Sequence, residues 1–164
     1  MYLLEHDAKQ LLDRHGIPVP AGHLIGRDDT IHRASLPPGP WVVKGQIGAG
    51  GRGKAGIIRK AATLQDIVNH SYAIFGATVK GQRVNAIRIE QQVAADDEAY
   101  LAVLIDPVAG GARVIMSAQG GMDIEAVPPS LVKTATTSPA HEALAGCVQR
   151  LAATMPAAIG RAHV

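Results

Sequence analysis

Apolar residues recur at helical spacing in some segments of the chain and alternate at strand spacing in others. The first helical pattern begins at Leu3 and stops before Gly16, which two prolines follow closely. A second begins at Thr63, three residues before Asp66 as in a capping box, and continues to about Phe75. This mixture of periodicities predicts an α/β or α+β fold.

The remaining segments predict several strands, a short helix near residues 29–34 and a mostly helical segment at 140–162 that Pro156 kinks or restarts. The predicted strands are residues 23–25, 41–44, 56–60, 84–93, 99–106 and 112–118. The last three follow one another through short connections, so we expect them to form an antiparallel meander.

The most informative segment is a glycine-rich loop that follows the apolar strand beginning at Trp41. Residues 48–56 contain five glycines, and Lys44, Arg52 and Lys54 supply positive charge around them. Glycine lets main-chain N–H groups approach phosphate oxygens closely, because no Cβ stands in the way. The segment therefore predicts a nucleotide-binding loop.

Two other motifs fit the same loop in part. Residues 48–53 match the dinucleotide fingerprint, and residues 48–54 match the Walker pattern up to its last position, where Ala55 replaces the required Ser or Thr. Both motifs need a helix that starts at the loop, whereas the β-branched residues 56–60 predict a strand. We therefore expect a hairpin flap over phosphates, with a solvated glycine-rich turn as the alternative.

Composition narrows the possible functions. The net charge is only +2 and the basic residues are spread along the chain, which predicts no nucleic-acid partner. No apolar run reaches membrane-spanning length, and the single cysteine, Cys147, fits a reducing compartment, so a cytoplasmic location is expected. The seven histidines lack metal-ligand spacing, and no metal site is predicted in this chain.

Several short motifs follow one another in the order found in one known family. They are Ala8-Lys9-Gln10-Leu11, Gly16-Ile17-Pro18-Val19-Pro20, Trp41-Val42-Val43-Lys44, residues 50–56, Ile87-Arg88-Ile89-Glu90, Glu98-Ala99-Tyr100-Leu101 and residues 117–125. The chain resembles the N-terminal part of the β subunit of ADP-forming succinyl-CoA synthetase and of related acyl-CoA ligases such as malate-CoA ligase.

The resemblance implies a truncated ATP-grasp domain over residues 1–164. Residues 22–90 would form one complete small nucleotide-binding subdomain. Residues 1–21 together with 94–164 would form part of a second subdomain. The fold expected on this ground is the N-terminal portion of an ATP-grasp fold.

The resemblance also assigns the phosphate end of an ATP site. Lys44 would reach the α and β phosphates from its strand, and Gly51, Arg52 and Gly53 would fold over the triphosphate. Without the resemblance, Lys44 could equally extend its ammonium group past an apolar stem into solvent.

At the other end of the nucleotide, Glu90 would accept a hydrogen bond from the adenine amino group, and Glu98 would hold the ribose hydroxyls. Val93 stands at a further contact position where some family members have Thr, so only its backbone could serve. The alternative for Glu90 is an exposed place on a half-buried sheet, and for Glu98 a solvated acidic turn.

The implied reaction is ADP-forming synthesis of an acyl-CoA from a carboxylate such as succinate or malate, a tricarboxylic acid cycle reaction, through a phosphohistidine on a partner α subunit. The family's magnesium ligands and most of its α-subunit contacts are expected beyond the end of this chain. We therefore assign no catalytic residue, expect the chain alone to be inactive, and consider self-association at an open sheet edge possible. The alternatives are a stand-alone ATP-binding module without turnover and a folded remnant that binds nothing.

Overall fold

The structure is a computed structural model that describes residues 3–120 and 127–155. The chain divides into two compact units, Met1–Ala94 and Ala95–Val164. The helices are α1 (Glu5–Arg14), α2 (Leu64–Phe75) and α3 (His141–Ala152). The strands are β1 (Gly22–Gly26), β2 (Trp41–Gln46), β3 (Ile58–Ala61), β4 (Thr78–Val79), β5 (Gln82–Arg83), β6 (Ala86–Gln91), β7 (Tyr100–Asp106), β8 (Gly111–Ser117) and β9 (Val132–Thr137). No helix among the described residues is both long and apolar enough to cross a membrane.

The first unit is built on a four-stranded sheet in the order β1-β6-β2-β3, and every pair in it is antiparallel. Strands β2 and β3 flank the glycine-rich loop as a hairpin, in which Lys44 pairs with Ile58. Residues 52–56 form turns, and the chain is extended again at β3, so no helix begins at the loop. The predicted strand, loop, strand arrangement is confirmed.

One face of this sheet forms the apolar core of the unit. Alternation along β2 and β6 turns Val43, Ile87 and Ile89 toward Ile67 and Ile74 of α2, and all five side chains are fully buried in one cluster. This contiguous packing sets the position of the helix on the sheet.

Helix α2 begins at the predicted capping box. The Thr63 hydroxyl accepts a hydrogen bond from the Asp66 N–H at 3.1 Å, and the Asp66 carboxylate accepts one from the Thr63 N–H at 2.8 Å. The box satisfies N–H groups that have no partner inside the helix.

Helix α1 lies over the opposite face of the sheet and has no buried residue. Its contacts there are polar: the His6 N–H donates to Gln46 Oε1 of β2 at 3.0 Å, and other side chains reach β6. Helix α1 thus lies in the first compact unit, while the division into subdomains at residues 22–90 and at residues 1–21 with 94–164 stays a prediction. Partners 40 and more residues away along the chain draw the helix to this sheet.

The second unit contains the three-stranded antiparallel sheet β7-β8-β9. Val114 and Met116 of β8 pack with Cys147 of α3, and all three side chains are buried. The predicted meander is corrected here, because the strand predicted at 84–93 is β6, which pairs with β1 and β2. Its place is taken by β9, which the sequence analysis did not identify.

Two further expectations concern helical segments. The short helix expected near residues 29–34 is a single 3-10 turn at Arg33–Ser35. The C-terminal helical segment is observed as α3, and its continuation at Pro156 lies outside the described residues.

Candidate functional site

The glycine-rich loop lines a cavity of about 400 Å³ in the first unit. Its walls are Leu3, Glu5, Ile47, Gly48, Ala49, Gly50 and Arg52. The loop begins with a hydrogen bond from the Gly48 N–H to Gln82 Oε1 of β5 at 3.2 Å. It closes with bonds from Ala55 N–H to Gly51 O at 3.0 Å and from Ile57 N–H to Arg52 O at 3.2 Å.

Glycine is required at Gly51 by its backbone, since φ there is +81° in the left-handed region. A Cβ added at Gly50 or Gly51 would meet no atom within 4 Å among the described residues. The main chain of the loop is therefore open to an approaching ligand.

Two cations converge on the carboxylate of Glu5 at this cavity. Lys44 Nζ lies 3.0 Å from Glu5 Oε1, and Arg52 Nη1 lies 2.7 Å from Glu5 Oε2. Arg52 also donates to the Gly45 carbonyl at 3.4 Å, which ties its guanidinium to the end of β2. The positive charge is thus held at the edge of the cavity by a strand and a loop.

A charged face on the α1 side of the sheet consists of Glu5, Lys9, Lys44, Arg52, Arg88 and Glu90. Glu90 is its second carboxylate. Only 3% of its side chain is exposed, and its carboxylate forms ion pairs with Lys44, with Lys9 at 2.6 Å and with Arg88 Nε at 2.8 Å. Both of its oxygens contact cations: Lys44 contacts Oε1, while Lys9 and Arg88 contact Oε2. A carboxylate buried to this degree needs such compensation.

Arg88 links the charged face to α1 and to the chain before β1. Besides Glu90, it donates to the Pro20 carbonyl at 2.8 Å and lies 2.8 Å from His6 Nδ1. Burial, followed by the charge of Arg88, lowers the pKa of His6, so the neutral imidazole that can accept from Arg88 is favoured.

The carboxylates of this face are held ionised. Burial alone would raise the pKa of Glu5, but the hydrogen bond from Lys9 and the charges of Lys44, Lys9 and Arg52 lower it to about 2. Burial acts in the same direction on Glu90, where the cations again prevail and lower its pKa. For Lys44, burial disfavours the charged ammonium, yet Glu90 and Glu5 outweigh it and raise its pKa.

The structure brings together three of the predicted site residues, Lys44, Arg52 and Glu90, and places Gly51 and Gly53 in the adjoining loop. Val93 follows β6 and is 61% exposed. Glu98 lies exposed in the second unit, where its carbonyl accepts from the Gly120 N–H at 2.8 Å. The individual ligand roles of these seven residues stay predictions.

Three members of the charged face were not predicted from the sequence, namely Glu5, Lys9 and Arg88. The spacing of Glu5 and Lys9 was a usable signal, because residues four apart on a helix form ion pairs, and their ends do lie 2.8 Å apart. Arg88 and Glu90 stand two apart on one strand and so share a face. In the described ranges, 3–120 and 127–155, no cluster of three His, Cys, Asp or Glu side chains suits a metal ion.

Comparison with protein families decides which fold this is. The family described as the ATP-grasp domain matches residues 2–159. The chain belongs to the ATP-grasp family. The ATP-grasp fold expected from the resemblance is therefore confirmed, with antiparallel sheets and helices that agree with structural neighbours of that fold.

Curated relatives of this ATP-grasp chain carry the name predicted by the resemblance. The β subunit of an ADP-forming succinate–CoA ligase from Parvibaculum lavamentivorans is 38% identical over 136 residues, which are 77% of this chain and 35% of the relative. A protein of the same name from Methanocaldococcus jannaschii is 34% identical over 137 residues, which are 81% of this chain and 37% of the relative.

A solved structure also shares the fold. ATP citrate lyase from Methanothrix soehngenii, in complex with citrate and coenzyme A, superposes with a TM-score of 0.68 at 22% identity. The superposition covers 94% of this chain and 38% of that one. The ATP-grasp chain thus spans little more than a third of the length of the relatives that it matches.

Proposed function

We propose that this ATP-grasp chain binds the triphosphate of ATP in the cavity beside the glycine-rich loop. The observation that carries the proposal is the convergence of Lys44 and Arg52 on one carboxylate, that of Glu5, at the wall of this cavity. Two cations aimed at one anionic group form a site for an anion, and an open glycine backbone beside them can donate N–H groups to its oxygens.

The chemistry of the donors fits a phosphate chain. The Arg52 guanidinium offers a planar fork of N–H donors, and Lys44 offers a compact charge from a strand that pairs on both sides. Because β2 lies inside the sheet, Lys44 loses little backbone freedom when a ligand binds. Magnesium bound with ATP would neutralise further phosphate charge.

For the whole protein, we propose ADP-forming synthesis of an acyl-CoA from a carboxylate such as succinate, in which this chain holds and orients ATP. The names of the curated relatives support this proposal, and their designation as β subunits supports an α-subunit partner. The solved structure of ATP citrate lyase, which shares the fold, holds citrate and coenzyme A, and these are a carboxylate and a CoA ligand of the class proposed here. The phosphorylated histidine expected from the resemblance would belong to that partner.

Calorimetric titration of the chain with ATP and MgCl₂ tests the proposal. We expect saturable binding that Lys44→Ala weakens by about one to two decades, because a charge-assisted contact is worth roughly 1.5–3 kcal/mol. Arg14→Ala is the matched control, since Arg14 is an exposed cation nine residues along α1 from Glu5, about 13 Å along the helix axis.

Three results separate the possible functions. Binding with slow nucleotide turnover favours the ligase assignment, and binding without turnover favours either a ligase part that needs its partner or a stand-alone module. Equal weakening by Lys44→Ala and Arg14→Ala, or no heat of binding at all, contradicts the proposed site.

A further inference from the structure

Glu5 lies where the proposed phosphate site has its highest density of positive charge. Its Oε1 is 2.8 Å from Lys9 Nζ and 3.0 Å from Lys44 Nζ, and its Oε2 is 2.7 Å from Arg52 Nη1. Lys44 and Arg52 are the two cations that would neutralise the phosphates of a bound nucleotide. Glu5 also lines the same cavity as Gly48 and the rest of the loop.

The hydrogen bonding of Glu5 is incomplete. Its Oε2 is buried and accepts no hydrogen bond from any described residue, although Arg52 Nη1 is close. The guanidinium therefore contributes charge to this oxygen without a well-directed N–H bond. A phosphate group presents three acceptor oxygens and could satisfy the donors of Lys44, Arg52 and the loop more fully than one carboxylate does.

Helix α1 has other attachments that do not involve the carboxylate of Glu5. Lys9 pairs with Glu90, the His6 N–H bonds to Gln46, and the His6 ring contacts Arg88. The side chain of Glu5 can therefore leave Lys44 and Arg52 while the helix remains on the sheet. An exchange of anions at this point requires only a change of one side-chain conformation.

From these contacts we propose that Glu5 occupies a phosphate position in the nucleotide-free chain and must be displaced from Lys44 and Arg52 when a triphosphate binds. The carboxylate holds the two cations in place before the ligand arrives, and it competes with the ligand for them. This inference rests on the proposed function, because it concerns the same site. It assigns to the N-terminal helix a restraining role in nucleotide binding.

The test compares ATP affinity in three proteins by calorimetric titration with MgCl₂ present. Glu5→Gln removes the competing charge but retains the size of the side chain, and we expect it to tighten ATP binding by about five- to thirtyfold, the range for release of two partly exposed ion pairs. Asp7→Asn removes the same charge from an exposed position on the same helix, and it should leave the affinity within about twofold.

A second variant and a second ligand guard against an effect of folding. Glu5→Asp keeps the charge but draws it back by one methylene, so it should tighten binding by less than Glu5→Gln does. Inorganic tripolyphosphate should reproduce the ranking of the three variants, because the competition concerns phosphates alone. Retained helical circular dichroism confirms that each variant is folded.

The outcomes distinguish this inference from the function on which it rests. If the unaltered chain binds ATP and a folded Glu5→Gln or Glu5→Asp variant binds it equally or more weakly, the competing role of Glu5 is overturned while ATP binding stands. If neither the unaltered chain nor Glu5→Gln binds ATP or tripolyphosphate, the proposed function fails and the inference fails with it. Binding that is detected only after Glu5→Gln supports both.

Discussion

The two faces of the four-stranded sheet are built from alternate residues of the same strands, yet different interactions attach the helices that cover them. On one face Val43 and Ile89 pack against α2 in a fully buried apolar cluster. On the other, Lys44 and Glu90 meet charged side chains of α1. Alternation along a strand thus lets one sheet carry an apolar core on one side and a charged surface on the other.

The two faces contribute differently to the stability of this unit. Burial of apolar area is non-directional and nearly independent of salt, so the α2 face stabilises the fold under most conditions. Charges on the α1 face lose hydration, and that loss offsets much of their mutual attraction. We therefore expect α2 to determine how stable the unit is, and α1 to determine how its cations are arranged.

The largest effect is expected on the apolar face. Ile67→Ala should lower the free energy of unfolding by about 2–5 kcal/mol, because it removes a completely buried side chain and leaves a cavity beside the sheet. Urea denaturation at low and at high salt measures the effect, which should be the same in both.

Tyr72→Ala is the control for this substitution, since Tyr72 lies on the same helix with 80% of its side chain exposed. It should change the free energy of unfolding by no more than about 0.5 kcal/mol. Equal destabilisation by Ile67→Ala and Tyr72→Ala would show that α2 does not pack on the sheet through its buried face.

The charged face should respond less strongly. Glu90→Gln leaves Lys9 and Lys44 with Glu5 as their remaining carboxylate and takes from Arg88 its carboxylate partner, so we expect it to lower the free energy of unfolding by about 1–3 kcal/mol. The partial exposure of the two lysines places the effect below that of a fully buried pair. Unlike the effect of Ile67→Ala, this one should shrink in 1 M salt, which screens the remaining repulsion.

Asp97→Asn is the matched control for Glu90→Gln, because it neutralises an exposed carboxylate by the same isosteric change. Denaturation of both variants should show a loss for Glu90→Gln alone. An unchanged midpoint for Glu90→Gln would mean that Glu5 and water, and not Glu90, balance the three cations.

A third experiment separates the two faces by their dependence on pH. The pKa of Glu5 is about 2 in the folded chain against an ordinary value of 4.5, so its stabilising effect is complete above pH 4.5 and is lost as the pH falls toward 2. A shift of this size corresponds to at most about 3 kcal/mol, which solvent screening reduces to about 1–2 kcal/mol.

The stability difference between the unaltered chain and Glu5→Gln should accordingly narrow between pH 5 and pH 2. The corresponding difference for Ile67→Ala should stay constant over the same range, since no ionisation is involved. A pH-independent difference for Glu5→Gln would show that Glu5 is not held by the cations of this face.

Part of this architecture could be predicted from local sequence. The apolar run at the start of β2, the capping box at Thr63 and Asp66, and the β-branched residues after the loop all act over a few positions, and the structure confirms each. Pairing partners could not be predicted in the same way. Strand β6 pairs with β1 and β2, although β7 is the next strand along the chain.

The missed strand and the missed cluster have similar causes. Strand β9 reads Val-Lys-Thr-Ala-Thr-Thr, a polar sequence without a clear apolar face, although its Val and Thr residues favour strands, and it pairs with the edge of β8. The charges of Glu5 and Lys9 are visible in the sequence as a helical pair, but the contact of Lys9 with Glu90 of β6 joins residues 81 positions apart. Resemblance to a family identified Lys44, Arg52 and Glu90, and only the fold showed what else surrounds them.

The smallest effect is expected for an ion pair that no helix covers. In the second unit, Arg113 donates to Asp106 Oδ2 from Nε at 3.0 Å and from Nη2 at 2.6 Å, yet 51% of the Arg113 side chain is exposed. Asp106 Oδ1 also accepts from the N–H groups of Val108 and Ala109 in the turn that follows β7. Arg113→Ala therefore leaves the carboxylate with backbone donors and with access to water.

We expect the urea midpoint of Arg113→Ala to shift by less than about half the shift of Glu90→Gln, because exposed pairs contribute little. Equal shifts for Arg113→Ala and Glu90→Gln would show that cover by α1 does not strengthen the ion pairs of the charged face. The charged and apolar faces of the four-stranded sheet would then differ only in the charge of their side chains.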